Sequence, residues 1–174
     1  MRILAIDPGY ERSAWLVLVD GRPWLLGNSA ADVPMYAHGI SPNDELLASL
    51  RAGGLPNGFL HRPEVVVIEQ IESFGMAVGR EVFQTVFWSG RFAEAAHPTR
   101  AIQLPRRAVK LHLCGSARAK DPNIRAALID RFGPGKEKAV GKKRSPGPLY
   151  KISGDVWSAL AVAVTYADTP GAWT

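Results

Sequence analysis

Short apolar segments separated by turn residues occupy the start of the chain. Residues 2–7 are mostly apolar and stop at Asp7, before a Pro-Gly pair, which predicts a buried strand that ends in a turn. Residues 12–19 predict a second strand, and residues 22–27 predict a third after an Asp-Gly pair typical of hairpin turns. The chain is therefore expected to open with antiparallel strands.

A later apolar run has a different pattern. Residues 65–68 read Val-Val-Val-Ile and end at Glu69. A continuous β-branched run of this kind is typical of a central strand whose two faces are both buried. Residues 101–104 predict one more short strand.

Helical periodicity follows these strands. It predicts helices over residues 42–52, 78–96, 106–113 and 123–132, and a last one from Ser153 onward. Asn43 or Ser41 is expected to cap the first helix, and Ser153 the last. Residues 133–149 are rich in Gly, Pro, Lys and Arg, which predicts a mobile basic loop. Strands that alternate with helices predict one α/β domain over residues 1–174, with a mixed sheet flanked by helices.

Composition excludes several classes of protein. Hydrophobic residues make up 47% and charged residues 21% of the chain, which is ordinary for a globular protein and unlike a disordered one. The single cysteine, Cys114, excludes an internal disulfide and a multi-cysteine zinc site. No apolar run reaches the roughly 18 residues of a membrane span, and the N-terminus does not read as a signal peptide. We expect a soluble, cytoplasmic protein with no membrane partner.

Charge is distributed unevenly. The net charge is +5, yet residues 100–151 hold 14 lysines and arginines against three acids. The rest of the chain is acidic overall, with 7 basic and 13 acidic residues. This asymmetry favours a polyanion such as nucleic acid as the partner, although a basic surface can also be merely solvated.

Three acids lie in otherwise apolar settings. Asp7 and Glu69 each end a predicted buried strand, and Asp155 lies in the first turn of the last helix. If such acids converge they repel one another and need cations, and Mg²⁺ prefers carboxylate and water oxygens. Taken singly, Asp7 also suits a turn before Pro-Gly, and Asp155 suits a helix N-terminus. Spacing alone does not show that the three converge.

The ordered motifs resemble one family. Residues 3–9, Ile-Leu-Ala-Ile-Asp-Pro-Gly, resemble the opening strand of RuvC-type Holliday junction resolvases, which belong to the ribonuclease H-like superfamily. Residues 66–70, Val-Val-Ile-Glu-Gln, resemble its second acidic motif, and residues 155–161 its C-terminal acidic helix. Residues 109–120 are similar to its basic segment. The resemblance spans nearly the whole chain and suggests a divergent member that could be phage-encoded.

The resemblance implies a fold and a function. The fold would be a ribonuclease H-like mixed five-stranded sheet flanked by helices. The function would be metal-dependent cleavage of four-way or other branched DNA by paired nicks, as in DNA recombination and repair. A homodimer would act in a bacterial cell or a phage-infected host. Asp7, Glu69 and Asp155 would be catalytic and would bind Mg²⁺, with Mn²⁺ as a substitute and two ions expected.

The resemblance and the charge pattern together suggest the DNA contacts. Phosphates beside the cut would contact Lys110, Arg118 and Lys120, and the basic loop would hold a DNA arm. Phe74, on the loop after Glu69, would wedge between bases, or else pack against the next helix. The residues of the basic loop expected to bind DNA are Lys142, Lys143 and Arg144.

One position departs from the family pattern. Many members carry two acids, or a histidine and an acid, three residues apart in the last helix, where this chain has Asp155 and Ser158. Residues at this spacing share a helix face, so the site would have a neutral neighbour in place of a ligand. Two other functions stay open: a ribonuclease H-like nuclease that cuts RNA–DNA hybrids, and a junction-binding protein that does not cleave.

Overall fold

The computed structural model describes residues 1–28, 34–56, 62–72, 75 and 77–173. The strands are β1 (Arg2–Asp7), β2 (Arg12–Val19), β3 (Arg22–Pro23), β4 (Leu25–Asn28), β5 (Pro34–Tyr36), β6 (His38–Pro42), β7 (Val65–Gln70), β8 (Arg100–Pro105), β9 (Gly141–Lys142) and β10 (Ser145–Pro146). The helices are α1 (Asn43–Arg51), α2 (Arg80–Ala95), α3 (Arg106–Cys114), α4 (Asp121–Phe132), α5 (Lys136–Ala139) and α6 (Val156–Asp168), followed by a 3₁₀ turn (Pro170–Ala172).

The main sheet is mixed, as predicted. Its order is β3-β2-β1-β7-β8, with β6 also paired to β2. Strand β2 is antiparallel to β1, whereas β1, β7 and β8 run parallel. Because β1 already occupies one edge of β2, the short strands β3 and β6 must share the other edge. The sheet therefore has six strands at five positions, which agrees with the expected ribonuclease H-like arrangement.

The third strand is shorter than the sequence predicts. Residues 22–27 are expected to return along β2, but pairing stops at Pro23 and the following segment joins β5 in a separate two-stranded ribbon. The hydrogen-bond partner of β2 changes at Val17. The Val17 carbonyl accepts from the Trp24 N–H, whereas the Val17 N–H donates to the Ala37 carbonyl. The segment just before β6 thus takes over the edge of β2.

Both faces of the sheet are buried, because successive side chains of a strand point to opposite faces. On one face, Ile3 and Ala5 belong to a core that includes α6 and parts of α3 and α4. On the other face, Leu4 and Ile6 pack with residues of α1 and α2. The prediction that the β-branched strand is buried on both sides is confirmed, since residues 65–68 are at most 4% exposed.

The helix caps differ from the predictions. Helix α1 begins at Asn43 without a side-chain cap, and α6 begins after Asp155 without one. Asn43 points its amide into the protein, and Ser153 contributes only its backbone carbonyl, which accepts from the Val156 N–H. Helix α6 is buried on nearly every side, because it packs between the sheet and helix α3. No described helix is long and apolar enough to cross a membrane.

The basic segment is more structured than a loop. Residues 133–149 form the short helix α5 and the hairpin β9–β10. Ala139 and Leu149 are fully buried in the core beside the sheet. A Cβ atom at Gly147 would collide with the backbone of Lys138 and Ala139, so the segment packs closely on itself. The apolar residues that anchor it are too few to give a periodic signal in the sequence.

Candidate active site

Two of the three predicted acids lie at the same end of two neighbouring strands. Ile6 of β1 pairs in parallel register with Ile68 of β7, and the next residues in each strand are Asp7 and Glu69. Parallel strands end at the same edge of a sheet, so the two carboxyl groups meet there. The first strand and the long apolar strand thus lie side by side.

Glu69 is held by an arginine. It is only 6% exposed, and both of its carboxylate oxygens accept hydrogen bonds from Arg106 Nη1, at 2.8 and 3.0 Å. The other terminal nitrogen, Arg106 Nη2, donates to Asp121 Oδ1 at 2.7 Å. Arg106 is the first residue of α3, directly after β8, which brings its side chain to the same edge of the sheet. One guanidinium therefore links the buried carboxylate to an exposed one.

Asp7 lies where a negative charge is unfavourable. Burial raises its pKa well above the ordinary value, and repulsion from Glu69 raises it further. A hydrogen bond to Glu69 also favours the protonated form of Asp7, whereas Arg106 acts in the opposite direction. Asp7 and Glu69 share the guanidinium of Arg106. If both carboxyl groups were ionised, the pair would therefore keep a net negative charge.

Asp155 stands near this pair without joining it. It is exposed, at the residue before α6, and its charge adds to the factors that raise the pKa of Asp7. Ser158 lies one helical turn further on, where its N–H donates to the Asp155 carbonyl. The structure thus joins two of the predicted acids and leaves the third within electrostatic range, and the catalytic roles of all three stay predictions.

A buried polar network fixes the turn that follows Asp7. The Asn43 side chain donates to the Gly9 carbonyl at 2.9 Å and accepts from Ser13 Oγ at 2.7 Å. The Gly9 N–H in turn donates to Ser13 Oγ at 3.2 Å. A Cβ at residue 9 would collide with the Arg12 carbonyl, which explains the glycine. These hydrogen bonds hold the turn that follows β1 and thereby help to position Asp7.

A cleft of about 740 Å³ opens beside the two acids. Its lining includes Asp7 and Glu69 on one side and a row of basic side chains from α3 and the loop after it. These basic residues are Arg106, Arg107, Lys110 and Arg118. The structure therefore places two predicted phosphate contacts, Lys110 and Arg118, in the cleft with the acids.

Other predicted DNA contacts lie elsewhere. Lys120 precedes α4 and does not line the cleft. Lys142 borders a separate cavity of about 440 Å³ together with Lys136 and Lys138, and Arg144 is exposed on the β9–β10 turn. Lys143 is exposed on the same turn.

Phe74 lies outside the described residues, so its role as a wedge or a packing residue stays a prediction.

Sequence reasoning missed Arg106 and Asp121. A signal for Arg106 was present, because it follows Pro105 at the end of a strand that runs parallel to β7. The rule that placed Asp7 and Glu69 at one edge of the sheet places the start of α3 there as well. Asp121 has no such signal, since its contact depends on how α4 packs against α3.

The donor set is compatible with a divalent cation. Mg²⁺ is commonly bound by one or two carboxylates, with waters and substrate phosphates completing its shell. Asp7 and Glu69 supply two adjacent carboxyl groups, and Asp155 adds negative charge nearby. Among the residues that the structure describes, no group of three or more acidic, histidine or cysteine side chains is arranged around one metal position.

Comparison with known proteins finds similarity at the level of the fold. No protein-family model matches the sequence, and no curated protein is similar to it. A structure of RuvC from Thermus thermophilus matches with a TM-score of 0.59 and 19% identity, covering 98% of this chain and 95% of that one. The T. thermophilus RuvC structure in complex with a Holliday junction substrate matches with a TM-score of 0.63 and 19% identity, covering 100% and 98%. The chain has the fold of these RuvC structures over its whole length.

Proposed function

We propose that this protein is a metal-dependent endonuclease that resolves four-way and other branched DNA junctions. The observation that carries the proposal is the cleft in which Asp7 and Glu69 face Arg107, Lys110 and Arg118. A phosphodiester needs both halves of that arrangement, because basic groups bind the phosphate and acidic groups hold the metal and the water. The RuvC fold, seen also in T. thermophilus RuvC in complex with a Holliday junction substrate, supports a branched substrate.

The chemistry is hydrolysis of a phosphodiester. A water oxygen attacks phosphorus, the bond to one sugar oxygen breaks, and that oxygen leaves with a proton. A divalent cation, Mg²⁺ or Mn²⁺, supplies Lewis-acid polarisation of the phosphate and activation of the water when it is bound. Asp7 and Glu69 would hold it, with Asp155 close by.

The chain's own residues position these groups. The Asn43–Ser13–Gly9 network fixes Asp7, and Arg106 fixes the carboxylate plane of Glu69. Lys110 and Arg118 line the cleft and attract the phosphate to it. Lys120, Lys142, Lys143 and Arg144 contact the DNA arms, which is consistent with their position outside the cleft.

A homodimer belongs to the same proposal, because paired nicks on opposite strands need two active sites. Helix α2 carries three strongly exposed apolar side chains: Phe83 is 65%, Val86 50% and Phe87 60% exposed. Such a face suits contact with a second copy of the chain. The DNA substrate places the dimer in the cytoplasm of a bacterial cell or a phage-infected host.

The experiment compares three substrates at equal concentration: a four-way DNA junction, a linear duplex of one arm sequence, and the matching RNA–DNA hybrid. With Mg²⁺ we expect nicks in the junction and little cleavage of the other two. Preference for the hybrid would point instead to a ribonuclease H-like nuclease. Tight junction binding with no nick in Mg²⁺ or Mn²⁺ would indicate a binding protein.

A further inference from the structure

Arg106 lies where a second cation would sit. A single nitrogen, Nη1, is 2.8 Å from one Glu69 oxygen and 3.0 Å from the other. This near-symmetric position is the one that a cation chelated by both oxygens would take. A guanidinium stays protonated at all physiological pH values, so its positive charge at this place is permanent.

The contact is anchored at both ends. Nη2 of Arg106 donates to Asp121 at 2.7 Å, so the guanidinium is fixed by α4 as well as by β7. Its side chain is nevertheless 37% exposed and lines the cleft, so its charge faces the space that a phosphate would enter. A divalent ion chelated by Glu69 would have to displace it against its hydrogen bonds to Glu69 and to Asp121.

The remaining ligands suffice for one ion. Asp7 is the other carboxyl group in contact with Glu69, Asp155 is close but exposed, and Ser158 is neutral. Glu72 lines the same cleft, but it is exposed and lies three residues beyond Glu69. Within residues 1–28, 34–56, 62–72, 75 and 77–173, no set of three metal-ligating side chains surrounds a common point. Two divalent ions, which in two-metal sites lie about 3.5–4 Å apart, would also need the full charge of Glu69, which Arg106 already offsets.

We infer that Arg106 replaces one of the two cations expected of such a site, so that each chain binds one divalent ion. The inference rests on the proposed function and refines it, because it corrects the expected ion count from two to one. Arg106 then acts as a positioning residue: it orients Glu69 and supplies fixed positive charge beside the single ion. The competing view is that Arg106 is a structural salt bridge with no influence on metal binding.

The test is a titration of the metal-free protein with Mn²⁺ in the absence of DNA. Bound Mn²⁺ is counted from the decrease in the free-ion electron paramagnetic resonance signal and, independently, by calorimetry. We expect one ion per chain for the wild type and two for Arg106→Gln, which removes the charge from Glu69. Arg107→Gln, the neighbouring arginine of the same cleft, is the matched control and should remain at one ion.

Two results would overturn the inference. One is a wild-type count of two ions. The other is a titration curve for Arg106→Gln that superimposes on those of the wild type and Arg107→Gln. Arg106→Met, of similar volume and without charge, replaces the glutamine variant if that one does not fold. Because no DNA is present, a protein that nicks no junction but shifts from one ion to two would reject the proposed function and keep the role of Arg106.

Discussion

Two carboxylate centres in this molecule are built in opposite ways. Asp168, at the end of α6, accepts two hydrogen bonds from Arg131, at 2.7 and 2.8 Å, and its Oδ2 lies 2.8 Å from His112 Nε2. Asp7 instead meets another acid, Glu69, and the arginine that is hydrogen-bonded to Glu69 is shared with Asp121.

The pKa values of the two aspartates move in opposite directions. Partial burial of Asp168 opposes its ionisation, but hydrogen bonds from Arg131 and His112 outweigh it, so its pKa lies below the ordinary value. Burial and repulsion from Glu69 raise the pKa of Asp7. A carboxylate that serves the fold is neutralised by its own protein, whereas the Asp7–Glu69 pair leaves negative charge for a ligand to offset.

The largest expected effect is on cleavage. Glu69→Gln keeps the shape of the side chain and removes a charge from the proposed metal site. We expect junction nicking to fall on the order of 10²–10³-fold, the scale for removal of one electrostatic stabiliser of a transition state. Binding measured by gel shift should persist, because affinity comes mainly from basic residues. Asp168→Asn is the matched control and should nick normally; normal nicking by Glu69→Gln would remove this pair from the active site.

The next effect concerns DNA affinity. Replacing Lys142, Lys143 and Arg144 with alanine should weaken junction binding. The slope of log affinity against log salt should become shallower by about 0.9 for each DNA phosphate that the variant no longer neutralises. Binding isotherms at several salt concentrations measure it. An unchanged slope would mean that these side chains are solvated and touch no phosphate.

A smaller effect distinguishes Asp7 from Asp168 by the pH dependence of thermal stability. Because the folded-state pKa of Asp7 is raised, its ionisation costs stability that accumulates as the pH rises above the ordinary pKa and is complete once the pH exceeds the folded-state pKa. Asp7→Asn cannot ionise, so in EDTA at pH 8 its Tm should exceed that of the wild type by a few degrees. The difference should disappear as the pH falls towards the ordinary aspartate pKa of 3.8. A lower Tm for Asp7→Asn at pH 8 would show that the carboxylate is stabilised without metal.

The smallest effect has the opposite sign. The pKa of Asp168 is lowered in the folded state, so its ionised form contributes stability at neutral pH that disappears as the pH falls through the folded pKa. Asp168→Asn should therefore unfold at a lower Tm than the wild type at pH 7, and the two should converge in acid. Thermal melts over pH 2–7 check this. A constant gap across that range would indicate a packing effect instead of a charge effect.

The sequence predicted the sheet better than its edges. The apolar runs that became β1, β2 and β7 carry enough β-branched and aliphatic residues to identify buried strands, and Asp7 and Glu69 were identified because they end two of these runs. The prediction of the edge strand after the first hairpin was wrong in its length. At Val17 the hydrogen-bond partner of β2 changes from the hairpin to Ala37, which is distant in sequence. Edge pairing is decided by tertiary contacts that no local pattern records.

The site was predicted only in part, for a similar reason. The acids stand out because charge is rare at the ends of buried strands. Arg106 and Asp121 do not stand out, because arginine and aspartate at helix starts are common and their significance lies in a contact across elements. The predicted helix caps Asn43 and Ser153 were wrong for the same reason, because a local pattern does not include contacts with other elements. Asn43 satisfies the turn after β1, a partner that helix propensity does not include.

The most direct measurement uses a supercoiled plasmid that extrudes a cruciform, with Glu69→Gln as the inactive control. A single nick relaxes the plasmid and lets the cruciform reabsorb, so only two nicks within one binding event give linear DNA. We predict linear plasmid in the presence of Mg²⁺ and none with Glu69→Gln. Relaxed circles alone, or equal cleavage of a plasmid without the inverted repeat, would contradict junction resolution by paired nicks.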